Sequence, residues 1–479
     1  MTKAAQINRQ GKLRFFLAAV SPPSSCALVT PPLGLLYIAA WLRERFSLDI
    51  CVVNQRVEGW SSERLVKEAI AFEPDIIGLG CMTPSSYALP GITEALRVAL
   101  PNTLQVLGGP HIAAFGEDSL AVTAADAAVV GEGEVLMEQI VRAVIEGGTM
   151  ADIPGLIRRD TDGTVVVNPG MQPLIEDLDT LPLPAYDLID VSRYWRQPAM
   201  APIPRRKYMA LFSSRGCPYG CIYCHNVFGR KFRAHSAARM VEEIEYGMKT
   251  FGVEEVEFVD DCFNLDRKRV LEYSELLQQK VGAVKTIFPN AIRGDLLDVE
   301  TVDALVGAGM YYTALALESG TPRIQELIRK RLNIPKFLEA VALCAERKVF
   351  TNGYVMLGFP TETEAEIKET IRVASESRLN IASFFRVTPF PNTPLYKYVE
   401  EHSPEKLAAV SYNEMEYWRV KVNLSAVSDK TLDWHLGNAN RNFYLRPKRL
   451  YRLLREYPKP MLLPGYGWMF LKRIAAGLA

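Results

Sequence analysis

Tyr208-Met209-Ala210-Leu211-Phe212-Ser213-Ser214-Arg215-Gly216-Cys217-Pro218-Tyr219-Gly220-Cys221-Ile222-Tyr223-Cys224 is the most informative stretch of the 479-residue chain. Its first five residues form an apolar run of strand length that ends in serines. Three cysteines follow at C-x-x-x-C-x-x-C spacing. A loop this short can turn three thiolates toward one centre, and Gly216 and Gly220 relax its backbone. Thiolates of this kind hold iron–sulfur clusters. Three of them would leave one iron of a 4Fe–4S cluster open to another molecule. Zinc is the rival, because a structural zinc site takes four ligands and His225 is the nearby group that could be the fourth. A third reading leaves the cysteines as unligated core thiols.

Downstream, strand and helix patterns alternate. The predicted strands are Tyr208 to Phe212, Glu255 to Val259, Lys285 to Asn290, Tyr312 to Leu317, Phe350 to Leu357 and Ile381 to Val387. Helical periodicity lies between them, as in Val241 to Phe251 and Lys336 to Arg347. Six such units are too few for a closed eight-fold barrel, so a partial (β/α)6 barrel is expected. From Tyr396 onward the pattern turns mainly helical and irregular.

Upstream, the same alternation begins at Leu13. Strands are predicted at Leu13 to Val20, Leu48 to Val53, Asp75 to Leu79, Thr103 to Leu107 and Ala125 to Val130. Helices are predicted at Gly34 to Leu42, Ser61 to Ala71 (with Ser61 or Ser62 as cap), Leu89 to Ala99 and Glu132 to Ile145. Short apolar runs joined by helices indicate a doubly wound, flavodoxin-like parallel sheet, with ligands at the carboxyl ends of its strands. Asp162-Gly163 between two short runs is a hairpin signal, and Leu181-Pro182-Leu183-Pro184 stiffens the connector after it. The expected organisation is an α/β chain with a Rossmann-like domain at 12–150, a hairpin and proline-containing linker at 151–204, the partial barrel at 205–395 and a helical region at 396–479. The domain boundary is placed near Arg196 to Arg205.

Composition narrows the function classes. Hydrophobic residues make up 48% and charged residues 23%, which excludes a disordered or coiled-coil chain. Fifty-five basic residues balance fifty-five acidic ones, so nothing suggests a nucleic-acid partner. Eight cysteines are too few for a disulfide scaffold. Met1 to Lys12 is polar, and the longest apolar stretch, Pro32 to Leu42, falls short of a membrane span. The expected compartment is the cytoplasm, where clustered cysteines indicate metal or catalysis.

The cysteine motif resembles that of radical S-adenosylmethionine (SAM) enzymes. The resemblance implies Cys217, Cys221 and Cys224 as ligands of a 4Fe–4S cluster whose open iron binds SAM, with Tyr223 against the adenine. It implies reductive cleavage of SAM to a 5′-deoxyadenosyl radical, with electrons from an external flavodoxin- or ferredoxin-like donor. It further implies SAM-binding roles for Asp260, Arg293, Glu318, Ser319 and Gly358, which end successive strands. Thr388 to Pro394 resembles a substrate-side loop. Taken singly, each strand-end polar residue could also be a helix cap.

The resemblance extends to the N-terminal domain. Thr30-Pro31-Pro32-Leu33-Gly34, Leu79-Gly80-Cys81-Met82-Thr83, Leu107-Gly108-Gly109-Pro110-His111 and Gly131-Glu132-Gly133-Glu134 are similar to the strand ends of cobalamin-binding domains in cobalamin-dependent radical SAM enzymes. It implies cobalamin contacts at Pro32, Gly34, Thr83, Gly108, Gly109, Gly131, Glu132 and Gly133. The D-x-H-x-x-G loop that supplies a histidine to cobalt in other cobalamin proteins is absent after the first strand. His111 is the domain's sole histidine, so a histidine-off state is expected. Cys26, Cys51 and Cys81 raise the alternative of a methylthiotransferase with a second cluster, but they are read as buried thiols.

The resemblance implies C-methylation at an unactivated carbon, with SAM serving as radical source and as methyl donor. The alternative is a non-methylating cyclase or a carbon-skeleton rearrangement. From Arg441 to Ala479, basic residues outnumber acidic ones nine to one and are interleaved with Tyr451, Leu454, Trp468, Met469, Phe470 and Leu471. This pattern fits peripheral membrane contact and weakly suggests a lipid-like substrate; a helix packed on the barrel with a solvated basic face is the other reading.

Overall fold

The computed structural model describes residues 12–23, 29–197, 200–203, 207–225, 227–408, 410, 412 and 422–458. Cys26, the Arg205 end of the expected domain boundary, and Trp468 to Leu471 lie outside the described residues. Two compact units emerge. One comprises Met1–Ala199 with His225–Gly229 and Tyr412–Met415, and the other comprises the remaining chain.

The first unit is built on seven strands: β1 (Leu13–Val20), β2 (Leu48–Asn54), β3 (Ile76–Cys81), β4 (Leu104–Gly108), β5 (Ala127–Ala128), β6 (Ile157–Arg159) and β7 (Val165–Val167). Their spatial order is β2-β1-β3-β4-β5-β6-β7. The first five run parallel, which is the flavodoxin-like winding expected from the sequence. β1 carries consecutive buried Phe15, Phe16, Leu17 and Ala18, because helices cover both faces of a central parallel strand. Ser61 caps helix Ser62–Phe72 by accepting the Arg64 N–H at 3.2 Å. The Asp162-Gly163 hairpin, expected in the connector, instead extends this sheet as β6 and β7 by antiparallel pairing. Helix Pro110–Ala121 is absent from the predicted elements; it follows Gly109 with Pro110 at its first position and is kinked at Gly116, where φ is +41°.

In the second unit the strands are β8 (Tyr208–Leu211), β9 (Ser214–Arg215), β10 (Arg233–Ala234), β11 (Glu255–Phe258), β12 (Lys285–Ile292), β13 (Met310–Glu318), β14 (Phe350–Leu357) and β15 (Ile381–Arg386). Six of them form an all-parallel sheet in the order β15-β14-β13-β12-β11-β8, the partial barrel expected from the sequence. β9 and β10 pair antiparallel with each other, so residues 216–232 leave and rejoin at one short ladder. Ala201, Ile203, Ile287, Tyr312, Phe350 and Tyr457 form a buried apolar cluster. Helices Asp429–Tyr444 and Pro447–Glu456 pack on the β14–β15 side, where Leu432 joins Leu357 and Ile367 in the core. Among the described residues, no helix is long and apolar enough to cross a membrane.

Candidate functional site

Short local devices build the cysteine loop. Gly216 takes φ +82°, a left-handed turn that glycine reaches without strain. Ile222 anchors the middle: its N–H donates to the Ile328 carbonyl at 3.1 Å, and its carbonyl accepts the Leu395 N–H at 2.9 Å. The Cys224 N–H donates to the Cys221 carbonyl at 3.3 Å. Cys217, Cys221 and Cys224 form no disulfide, and their thiols lie within electrostatic reach of one another. Among the described residues, no three Cys, His, Asp or Glu side chains converge as they would on a single metal ion. A 4Fe–4S cluster makes a different demand, because its separate irons each take one thiolate. Cys217 is pulled down to about 6 by its hydrogen bond with the buried thiol of Cys262, helped by the Arg293 and Arg230 charges. Burial pushes the Cys221 thiol up and the Cys224 thiol up to about 12, so Cys217 is the one of the three held toward the thiolate that ligates iron, and the three thiols together are the donor type a 4Fe–4S cluster takes.

Around the loop, the barrel's strand ends divide into two groups. Tyr223 and Glu318 meet directly, with the Tyr223 hydroxyl donating to Glu318 Oε1 at 3.2 Å. Lys330 Nζ donates to the same oxygen at 3.1 Å, and both ends of this ion pair are about nine-tenths buried. Glu318 sits at φ +61°, a strained setting for a residue with a side chain. The Tyr223 ring lies 5.9 Å from the ring of Phe359. Its neighbour Gly358 takes φ +94° and donates its N–H to Glu362 Oε2 at 2.7 Å, and the Phe359 N–H donates to the same oxygen at 3.1 Å.

Asp260, Arg293 and Ser319 form the second group, and the protein itself uses their side chains. The Asp260 carboxylate accepts the Ser213 N–H (3.2 Å), the Ser213 hydroxyl (2.7 Å) and the Ser214 hydroxyl, bracing the chain that enters the cysteine loop. Arg293 forks onto Asp295 at 2.8 and 3.2 Å, donates to the Lys330 carbonyl at 2.9 Å and stacks over Tyr219 of the loop at 3.9 Å. Ser319 is fully buried between Thr321 and Thr370. The sequence reading missed Lys330, Glu362 and Cys262. Arg329-Lys330-Arg331 reads as a solvated charge run, yet Arg329 and Arg331 both adopt positive φ and Lys330 is buried.

In the first unit, the expected cobalamin residues gather at strand ends. Pro32 and Gly34 follow β1 at the start of helix Leu33–Arg43, and Thr83 follows β3. Gly108 and Gly109 end β4, and Gly131 to Gly133 precede helix Glu134–Glu146. A Cβ added at Gly34 or Gly108 would meet nothing within 4 Å, so the backbone there is open to a bulky ligand. Gly109 has a different reason: its φ is +90°, and a Cβ would press within 3.1 Å of the Cys81 backbone. Exposed Met82 and Tyr87 stand just after β3, apolar surface that a large ring could cover. These features fit cobalamin. Glu132 is a brace here, with its carboxylate accepting the Ile175 N–H at 3.1 Å. Cys51 and Cys81 pack in the sheet core, and burial raises their thiols to about 11 and about 12. His111 packs on Phe115 at 4.5 Å between ring centres, and burial lowers it to about 4.

Family comparison agrees with this geometry. Residues 211–374 match the radical SAM superfamily, and residues 24–141 match the B12 binding domain. The chain is a radical SAM enzyme carrying a B12-binding domain. Its cofactors are SAM, a 4Fe–4S cluster and cobalamin. Among characterised and uncharacterised relatives, it is 28% identical to an uncharacterized methyltransferase of Pyrococcus horikoshii, over 91% of this chain and 94% of that one. It is 27% identical to the anaerobic magnesium-protoporphyrin IX monomethyl ester cyclase of Rubrivivax gelatinosus, over 92% of this chain and 79% of that one. Its fold is shared with the cobalamin-dependent SAM radical enzyme OxsB, solved with aqua-cobalamin and SAM bound. That likeness has a TM-score of 0.75 at 15% identity and covers 97% of this chain and 72% of that one.

Proposed function

We propose that this radical SAM enzyme is a C-methyltransferase acting on an unactivated carbon of a small-molecule or lipid-like substrate in the cytoplasm. The observation that carries the reading is the pairing, in one chain, of a three-cysteine loop beside the Tyr223–Glu318 contact with a glycine-opened set of strand ends in the B12-binding unit. The methyltransferase relative, which matches nearly end to end, supports the reaction type.

When bound, the cofactors supply radical generation and methyl transfer, and the protein supplies binding, orientation and exclusion of water. In this proposal Cys217, Cys221 and Cys224 hold the cluster, and reducing electrons come from a flavodoxin- or ferredoxin-like donor. Tyr223, Glu318 and the Gly358 backbone contact SAM. Lys330 holds the Glu318 carboxylate in place. Asp260, Arg293 and Ser319 position the loop and strand ends that make those contacts. Pro32, Gly34, Thr83, Gly108, Gly109 and Gly131 to Gly133 line the cobalamin site, where glycine lets the backbone come close. Peripheral membrane contact of the C-terminal region belongs to the same reading.

The relationship to the cyclase supports a second reading, a non-methylating ring closure. Packing of Cys51 and Cys81 among the apolar side chains of the sheet supports reading them as buried thiols rather than as ligands of a methylthiotransferase's second cluster. The deciding experiment is anaerobic turnover with methyl-deuterated SAM, a reductant and candidate substrates. Methylation predicts a product with three added deuterons and release of both 5′-deoxyadenosine and S-adenosylhomocysteine. A product without deuterium, formed without S-adenosylhomocysteine, would transfer the assignment to ring closure or rearrangement.

A further inference from the structure

Helix Pro447–Glu456 turns Arg449 and Leu453 toward the protein and leaves Leu450, Tyr451 and Leu454 outward. Arg449 is only 2% exposed. Its guanidinium donates to the Ser375 carbonyl at 2.8 Å, the Ser377 carbonyl at 3.1 Å and the Leu379 carbonyl. Ser375 lies in the last turn of helix Glu364–Glu376, where carbonyls lack intrahelical partners and favour a cation. The contact therefore caps that helix and fixes which side of Pro447–Glu456 faces the protein. Asn380 reinforces it by donating to Glu456 at 2.7 Å. Leu450, Tyr451 (62% exposed) and Leu454 (63% exposed) are left in solvent at helical spacing. Exposed Lys448 and Arg455 flank the stripe. A buried core would not be built this way round, and exposed apolar surface on this scale marks an interaction site.

Charge decides what fits it. Between Arg441 and Ala479 there are nine basic residues and one acidic residue. The segment 459–479 shares that sign, with Lys459, Lys472, Arg473 and no acidic residue. Covering the stripe with the same surface of a second copy would set like charges together. An anionic surface complements both the helix and the segment.

We propose that the Leu450–Tyr451–Leu454 face docks on an anionic phospholipid membrane surface. The apolar side chains enter the boundary between headgroups and acyl chains while Lys448 and Arg455 meet the lipid phosphates. The inference rests on the proposed peripheral contact and not on methyl transfer, so it survives any outcome of the deuterium experiment.

The test is sedimentation of the full-length protein with vesicles of mixed phosphatidylglycerol and phosphatidylcholine, alongside pure phosphatidylcholine vesicles. Binding to the anionic vesicles alone, weakened by 0.5 M salt, is the expected result. The triple variant Leu450→Ser, Tyr451→Ser, Leu454→Ser should bind at least about tenfold more weakly. The double variant Lys448→Glu, Arg455→Glu should lose more than the roughly fivefold per basic residue expected from simple removal of charge. Far-ultraviolet circular dichroism verifies that both variants are folded. Equal binding to both vesicle types, or variants that bind like the parent, would overturn the proposal. So would a dimer, measured by analytical ultracentrifugation, that the triple variant abolishes, since the stripe would then belong to a second copy.

Discussion

The Tyr223 hydroxyl donates to Glu318 Oε1 across 3.2 Å, tying the cysteine loop to the carboxyl end of β13. Lys330 completes the contact from a tight turn, so one carboxylate oxygen serves a loop residue and a buried cation together. Ablating Glu318 affects both.

Glu318→Ala should strand the Lys330 ammonium in a largely buried setting. Removing one partner of a buried pair costs about 3–5 kcal/mol, whereas removing both is often close to neutral. Urea unfolding should therefore show a large destabilisation in Glu318→Ala and substantial recovery in Glu318→Ala, Lys330→Met. A double variant as unstable as the single would refute the pairing as the main contribution.

Replacing Cys217, Cys221 or Cys224 with Ala should deplete iron and acid-labile sulfide and remove the cluster's visible absorption. Reconstituted corrinoid should remain bound, because the B12-binding domain and the cysteine loop fall in different compact units. Full iron content in a triple Ala variant would refute these ligands.

The paramagnetic cobalt form should lack nitrogen superhyperfine splitting in its electron paramagnetic resonance spectrum. His111→Ala should leave that spectrum unchanged, since His111 packs on Phe115. A spectrum altered by the substitution would make His111 the lower ligand.

Glu362 is fully buried, and burial raises its carboxyl to about 7. An unfolded glutamate ionises near the ordinary 4.5, so the unfolded chain sheds its proton first as pH rises. Stability from this group is fully present below about 4.5, declines through the window up to about 7, and is lost above it. The total is on the order of 3 kcal/mol. Urea midpoints measured across that window should fall more steeply for the parent than for Glu362→Gln, and parallel curves would contradict the prediction.

The alternation of apolar runs made both parallel sheets legible, because buried strands such as β8 and most of β1 are continuous and apolar. The cysteine spacing marked the loop for the same kind of reason: a cluster needs donors close in sequence. What stayed hidden depends on contacts distant in the chain. Asp260 and Ser319 end strands as binding residues do, but only their partners, Ser213 and Thr370, reveal them as braces. Lys330 is concealed by its charged neighbours, whose left-handed backbone no composition rule reports. Helix Pro110–Ala121 is absent from the predicted elements, and its kink at Gly116 interrupts the helical pattern.

The left-handed backbone of Glu318 bears on how this chain can evolve. A residue held at φ +61° carries a penalty of roughly 1–3 kcal/mol that glycine would not. While Lys330 is present, glycine at 318 would release that strain but abandon a buried cation. Once Lys330 has become apolar, the same change turns favourable. Making Lys330 apolar first would in turn strand the buried Glu318 carboxylate, so substitutions at 318 and 330 are epistatic in either order, and a laboratory lineage selected for heat tolerance should acquire the two together.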